Sequence, residues 1–274
     1  MPHVGHAYVV GLTGAPGVGK STTTAALVAS YRGRGCRVGV LAVDPSSPFS
    51  GGALLGDRVR MQDHATDDGV YIRSMASRGH LGGLSWSTPQ ALRVLDAAGC
   101  DIVLVETVGV GQAEVEVASL ADTTLVLVAP GMGDGIQAAK AGILEVADAF
   151  VVNKADRDGT DATARDLRNM LSLGERGEWQ PPIIKTVASR GEGVDDVMAA
   201  LDRHREWLAA SGRLDEKRRL RAADEIESIA VTALRAWMGE LRGGELLDEL
   251  AGRVVAGQLD PYAAADELIA GVTA

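Results

Sequence analysis

The sequence predicts an α/β fold: a mostly parallel sheet flanked by helices, followed by a C-terminal helical extension. Three observations predict it. Short apolar runs rich in Val, Leu and Ile recur as far as Val187. Stretches with helical spacing lie between them. Beyond about Leu201 no strand-like run appears. Runs with so little polar alternation are buried on both faces, which is the habit of a parallel sheet covered by helices. Strand–helix alternation then gives the doubly wound pattern.

In chain order, the strand runs are 7–13, 37–43, 70–75, 101–107, 123–129, 148–153 and 182–187. Helices are expected at 20–34, 89–98, 135–147, 161–173 and 194–210. In the tail, the charged stretch 213–221 reads as a solvated helix face. Ile226, Ile229, Ala230, Ala233, Leu234, Trp237 and Leu241 recur at spacings of three and four, so 222–241 reads as an amphipathic helix that Gly243 and Gly244 end. Another helix is expected at 245–256. Asp260 and Pro261 fit the N-cap and first position of a last one, running to Ile269. The expected division is a nucleotide-binding domain over 1–205 and a C-terminal helical region over 206–274.

Composition narrows the function. Of 274 residues, 46% are hydrophobic, enough for a large core. Lys and Arg number 27 against 37 Asp and Glu, a net charge of −10. A net acidic chain is poorly suited to general nucleic-acid binding, which depends on neutralising phosphates. Two cysteines, Cys36 and Cys100, give neither a disulfide framework nor a metal signature. No signal peptide or membrane-length apolar run is found. A soluble cytoplasmic protein without nucleic-acid or membrane partners is expected.

The first strand run leads into Gly14-Ala15-Pro16-Gly17-Val18-Gly19-Lys20-Ser21, with Thr22 continuing into a helix. This is the GxxxxGK[ST] phosphate loop in the strand–loop–helix setting that the motif requires. Glycines let backbone N–H groups converge on phosphate oxygens, and the helix N-terminus adds its positive field. Lys20 reaches the β- and γ-phosphates, and Ser21 offers a hydroxyl to Mg²⁺. The fold is therefore expected to be a P-loop NTPase sheet.

A later strand run ends in Asn153-Lys154-Ala155-Asp156. The Asp156 carboxylate can accept from both N1–H and the exocyclic amine of guanine, a pair that adenine does not offer. A site built around those donors rejects adenine. Asn153 is expected to tie this loop to the phosphate loop, and the Lys154 stem to cover the base. Val187-Ala188-Ser189 follows the next strand and can aim a backbone N–H at the guanine oxygen. GTP and GDP are the expected nucleotides.

Glu106 follows the hydrophobic residues of the strand run 101–107, with Gly109 three residues on, in the Walker-B position. Asp44 ends another run on the same carboxyl edge, where open α/β sheets bind ligands. Asp57 is a third acid. Mg²⁺ takes a few oxygen ligands beside phosphate and water, so Ser21, Asp44, Asp57 and Glu106 form its candidate pool. Asp44 before Pro45 also suits a simple turn, and Asp57 a plain surface acid.

Taken together, GAPGVGKST, VDPSSPFSGGALLGDRVRM (43–61), RGHLGGLS (78–85), ETVGVGQAEVEV (106–117), GMGDGIQAAKAGILEVAD (131–148), NKAD and PYAAADELI (261–269) resemble the MeaB/ArgK-type GTPases. These are G-protein chaperones of adenosylcobalamin-dependent methylmalonyl-CoA mutase, in the SIMIBI class. The resemblance covers nearly the whole chain. It implies that Asp44, Asp57 and Glu106 are Mg²⁺-associated switch residues. It also implies that 131–142 is a further switch segment facing the mutase, and that the protein is a homodimer joined partly through its C-terminal helices. Longer members carry a helical extension before the first strand, which here begins within the first ten residues.

Phosphoryl transfer to water needs charge stabilisation and an oriented water. Lys20 and Mg²⁺ would supply the first, with Glu106 ordering the metal. Gln112, after the Glu106-x-x-Gly109 turn, is placed like a water-positioning glutamine, although the position equally suits a polar residue at a helix start. No arginine stands out as a finger in cis, so slow intrinsic hydrolysis stimulated by a partner is expected. Two other readings compete with this one. A nickel-type metallochaperone GTPase needs a Cys/His cluster, and Cys36 and Cys100 have no histidine nearby. A small-substrate kinase needs an acceptor base and a lid, and neither signal is present.

Overall fold

All seven apolar runs become strands of one sheet. The computed structural model describes residues 5–44, 64, 66–76, 87–107, 113–131, 145–173, 177–238 and 244–273. Among these lie β1 (Tyr8–Thr13), β2 (Val38–Asp44), β3 (Val70–Ala76), β4 (Ile102–Glu106), β5 (Thr123–Val128), β6 (Ala149–Asn153) and β7 (Ile183–Thr186). Their spatial order is β3-β2-β4-β1-β5-β6-β7, and every pairing is parallel. The chain builds outward from β1 to β3, returns to insert β4 beside β1, and then builds out on the other side. That reversal puts the loops after β1 and β4 at the crevice where open α/β sheets take ligands.

The described helices are α1 (Lys20–Gly33), α2 (Thr88–Ala97), α3 (Ala113–Leu120), α4 (Thr160–Leu173), α5 (Val194–Ala210), α6 (Arg213–Met238), α7 (Glu245–Val255) and α8 (Pro261–Thr273). Strand alternation divides the core. Val10 and Leu12 join Leu27 and Val28 of α1 and Met198 and Leu201 of α5 in one cluster. Val9, Val103 and Val105 pack with Leu92 and Leu95 of α2 and Val117 of α3 on the other face. A third cluster joins Phe150 and Val152 to Ala164 and Leu167 of α4. Gly11 of β1 permits close packing of α3, because a Cβ there would sit 2.8 Å from Val117 Cγ2.

Two local features differ from the sequence expectation. The helix α3 is anticipated only by the helix start that Gln112 suits, because Glu114-Val115-Glu116-Val117 alternates as a strand would. Burial of Val117 and Ala121 under β1 favours the helix instead. In the tail, α6 runs unbroken through the charged stretch 213–221 and the pattern that follows. Of the helix expected at 135–147, residues up to 144 lie outside the described residues. The chain divides into two compact units, Met1–Arg218 and Arg219–Ala274. Within the second, Arg253 of α7 pairs with Glu267 of α8 at 2.7 Å.

At the edge of the sheet away from the strand C-termini, a polar network joins the starts of β1, β5 and β6. Arg218 donates to both carboxylate oxygens of the fully buried Asp122 and to the carbonyls of Gly5 and Ala7. Beside it, Tyr8 Oη lies 2.5 Å from Thr123 Oγ1, which is 2.7 Å from Nδ1 of His204. Nε2 lies 3.3 Å from Asp148 Oδ1 but makes no hydrogen bond. The His204 ring stacks with Trp207 and packs against Trp179. A neutral imidazole fits this order, with Tyr8 donating to Thr123 and Thr123 to Nδ1.

His204 is 1% exposed. Burial holds its pKa below the ordinary histidine value, against the pull of Asp148 and with that of Lys217. A folded pKa below the unfolded one means that the unfolded chain takes up the proton first. Stability should therefore fall as pH drops below about 6.5. Replacing His204 by Gln should remove that component of the acid sensitivity. Urea denaturation at neutral and mildly acidic pH checks it, the parent losing more stability on acidification than the variant.

Candidate functional site

The phosphate loop leaves β1 at its C-terminal end. Gly14 has φ +136° and Gly19 φ +99°, backbone states that side chains disfavour. Space forbids a side chain there as well. A Cβ on Gly14 would lie 2.2 Å from the Leu127 carbonyl oxygen, and one on Gly19 2.3 Å from Asn153 Nδ2. The loop is thus pressed against β5 on one side and the end of β6 on the other. Ala15, Pro16, Gly17 and Val18 form its turn, with Pro16 and Gly17 exposed and Val18 buried. α1 begins at Lys20 with no acidic residue in its first turn, which leaves its positive N-terminal field uncancelled. Buried Lys20 donates from Nζ to the carbonyls of Gly14 (2.7 Å) and Ala15 (3.1 Å). Its charge therefore sits inside the loop. Ser21 and Thr22 complete the turn.

Glu106 ends β4, in register with Leu12 of β1, and is 4% exposed. Ser21 Oγ donates to its Oε1 at 2.7 Å. Thr24, one turn into α1, donates to Oε2 at 3.1 Å. The donor set of hydroxyl and carboxylate oxygens is hard, as Mg²⁺ requires. Ser21 and Glu106 are therefore the described residues that would hold the ion. Asp44 closes β2 on the same edge, with its side chain outside the described residues; Asp57 and Gln112 lie outside them altogether, as does most of 131–142.

The residues expected to meet the nucleobase lie at the ends of β6 and β7. Asn153 donates from Nδ2 to the Val18 carbonyl at 2.9 Å. Its Oδ1 accepts from Ala188 N and from Thr186 Oγ1, each at 3.1 Å. One amide thus joins the phosphate loop to the loop containing Val187, Ala188 and Ser189. Lys154 holds a positive φ of 58° and donates from Nζ to the Gly17 carbonyl at 2.6 Å. Its stem consequently spans the gap between the two loops. The exposed Asp156 accepts from Arg190 at 3.3 Å through Oδ2. Val187 and Ala188 are buried, and Ser189 is exposed.

The structure brings together Lys20, Ser21 and Glu106 at one end of the crevice and Asn153 and Lys154 at the other. Three residues beyond the expected set take part. Thr24 could have been found from helical spacing, since it lies three residues after Ser21 on the same face. Thr186 and Arg190 carry no sequence signal, because their roles depend on where β7 ends.

Residues 1–240 match the family described as methylmalonyl Co-A mutase-associated GTPase MeaB. The chain belongs to this family of GTPases. It is 50% identical to a Pyrococcus abyssi protein named as a candidate GTPase, over 98% of this chain and 84% of that one. It is 42% identical to the Escherichia coli GTPase ArgK, over 82% of this chain and 69% of that one. Among solved structures, a LAO/AO transport system kinase superposes with a TM-score of 0.73 at 29% identity, covering all of this chain and 84% of the other. The fold expectation of a parallel P-loop NTPase sheet flanked by helices holds, and the C-terminal helical extension is present.

The base site yields a direct test. Replacing Asp156 by Asn exchanges an acceptor pair for one acceptor and one donor. GDP affinity should drop by roughly 10- to 100-fold, the worth of one hydrogen bond to a charged group. Affinity for xanthosine diphosphate should rise. Calorimetric titration of both nucleotides into parent and variant checks it, and equal losses for the two would count against base recognition by Asp156.

Proposed function

We propose that this chain is a GTP-hydrolysing G-protein chaperone. It would gate cofactor loading onto an adenosylcobalamin-dependent acyl-CoA mutase, methylmalonyl-CoA mutase being the best fit, and protect or reactivate that enzyme. The observation that carries the nucleotide half is the Asn153 bridge, which fixes a guanine-type loop against the phosphate loop. The partner half is supported by the family's description as mutase-associated.

In this reading Lys20 and the α1 N-terminus hold the β- and γ-phosphates, and Asp156 reads the base. Bound Mg²⁺ would supply charge neutralisation between the phosphates. Ser21 and Glu106 are its holders, with Asp44 and Asp57 joining from the switch segments. Gln112 would orient the attacking water. Intrinsic turnover is expected to be slow, because no arginine stands out in the sequence as a finger in cis, and the mutase would stimulate it. The nucleotide state biases the mutase only if the two states bind it with different affinity. The mutase must then shift GTP against GDP affinity by the same factor.

The acidic composition and the described helices, none long and apolar enough to cross a membrane, suit a cytoplasmic protein working on another protein. The region 206–274 is read as the homodimerisation region of a chain whose GTPase domain is 1–205. Support comes from α6, which exposes Ile226, Ile229 and Leu234 on one side. Such a stripe on one helix is more apolar than a solvated helix needs to be. Changing Ile226 and Ile229 together to Asp should convert dimer to monomer in analytical ultracentrifugation while leaving GDP binding in place.

The decisive assay measures GTP hydrolysis with and without purified adenosylcobalamin mutases from the source organism. Stimulation by one mutase is expected, and paired Asp134→Ala and Gln137→Ala changes should abolish it while intrinsic hydrolysis persists. If no mutase alters the rate, the chaperone reading fails. Phosphate transfer to a small acceptor in place of water would favour a kinase.

A further inference from the structure

We infer that Thr24 is a positioning residue that fixes the Glu106 carboxylate for Mg²⁺ through its hydroxyl. The inference rests on the reading of Ser21 and Glu106 as the metal holders. Its starting point is a length problem. A glutamate has one more methylene, and so one more rotatable bond, than the aspartate usual at a Walker-B position. A longer side chain costs more conformational entropy to hold in one pose. An unanchored Glu106 would sample several carboxylate positions, few of which face the metal.

The structure supplies the missing anchor. Ser21 and Thr24 stand three residues apart on α1, so their side chains share one face. Each takes a different oxygen of Glu106, Ser21 the Oε1 at 2.7 Å and Thr24 the Oε2 at 3.1 Å. Two hydroxyls on two oxygens fix both the reach and the rotation of the carboxylate plane. Thr24 is fully buried, so water does not compete for its hydroxyl. That hydroxyl also lies 3.0 Å from the Lys20 carbonyl, the ordinary back-bond of a helical threonine. It has one proton, and the ionised carboxylate is the stronger acceptor. When the Ser21 oxygen turns a lone pair to a cation, its proton can stay on Oε1. Thr24 meanwhile holds Oε2, and the carboxylate keeps its aim.

A purely structural Thr24 and a positioning Thr24 differ in what they do to the metal. The experiment titrates Mg²⁺ into the full chain with a fluorescent GDP analogue, starting from EDTA, and reads nucleotide dissociation. Thr24→Val keeps the shape and removes the hydroxyl. Its Mg²⁺ midpoint should rise by about tenfold, as for loss of a hydrogen bond to a charged group. The affinity without Mg²⁺ serves as the internal control, and Thr24→Ser should restore the parent midpoint. An unchanged midpoint in Thr24→Val overturns the inference, as does an equal loss with and without Mg²⁺. A second comparison does not depend on Thr24→Val folding. Glu106→Asp draws the carboxylate back from Thr24, so on that background Thr24→Ser and Thr24→Ala should give the same midpoint. A difference as large as between the two single variants would overturn it. If the parent itself binds GDP with no response to Mg²⁺, the metal reading falls first and this inference with it. If the parent binds no GDP, the failure lies in the nucleotide reading.

Discussion

The site depends on one side-chain amide. Asn153 ends β6, reaches back to the Val18 carbonyl, and accepts from the Ala188 backbone. Remove it and three loops from three strands lose their common joint. Its presence also dictates a residue elsewhere, because Nδ2 occupies the space where a Cβ on Gly19 would lie. The glycine of the phosphate loop and the asparagine of the base loop are therefore one constraint seen from two ends. Lys154 reinforces the joint by crossing to Gly17. The phosphate loop and the loop of Asn153 and Lys154 are thereby tied to each other at two points.

The two edges of the sheet are organised by opposite rules. At the strand C-termini the polar groups point toward one another across a crevice and remain able to exchange partners. Lys20 rests on loop carbonyls, and Asp156 on an exposed arginine. At the strand starts the polar groups are closed in. Asp122 is held by Arg218 and by the Val9 N–H, while His204 is enclosed by two tryptophans. Buried polar groups with this many partners are rigid. Such an arrangement lets loops on one edge rearrange without loosening the strands beneath them.

Much of this was legible in the sequence, for physical reasons. Strands buried on both faces leave unbroken Val, Leu and Ile runs, and all seven were found within a residue or two of their ends. The phosphate loop and the Asn153–Asp156 segment were legible because their backbone demands and hydrogen-bond chemistry admit few residues. The helix α3 was hardly so, since its Glu–Val alternation looks like a strand and only Val117 and Ala121, four apart under β1, show the helical face. The bond between Thr24 and Glu106 was hidden for another reason. It joins a helix to a strand across 82 residues of sequence, and no local pattern records that distance. Arg190 was hidden in the same way. Its partner Asp156 lies 34 residues earlier, and the pair exists only because β6 and β7 are neighbours.

The position of β1 at the centre of the sheet has a consequence for how the chain is made. The phosphate loop follows β1, so it leaves the ribosome before the other six strands of this sheet. Yet β1 pairs with β4 and β5, not with β2, and the brace on Val18 comes from a residue 135 positions later. Until that residue emerges, the glycine-rich loop has no frame to press against, and nucleotide has nothing to bind. Ligand stabilisation can therefore act only on a chain synthesised through β6. During the interval the apolar face of β1 has no neighbours, and non-local parallel pairing is slow to form. The nascent chain passes through a window in which its most conformationally demanding loop is complete in sequence and incomplete in structure.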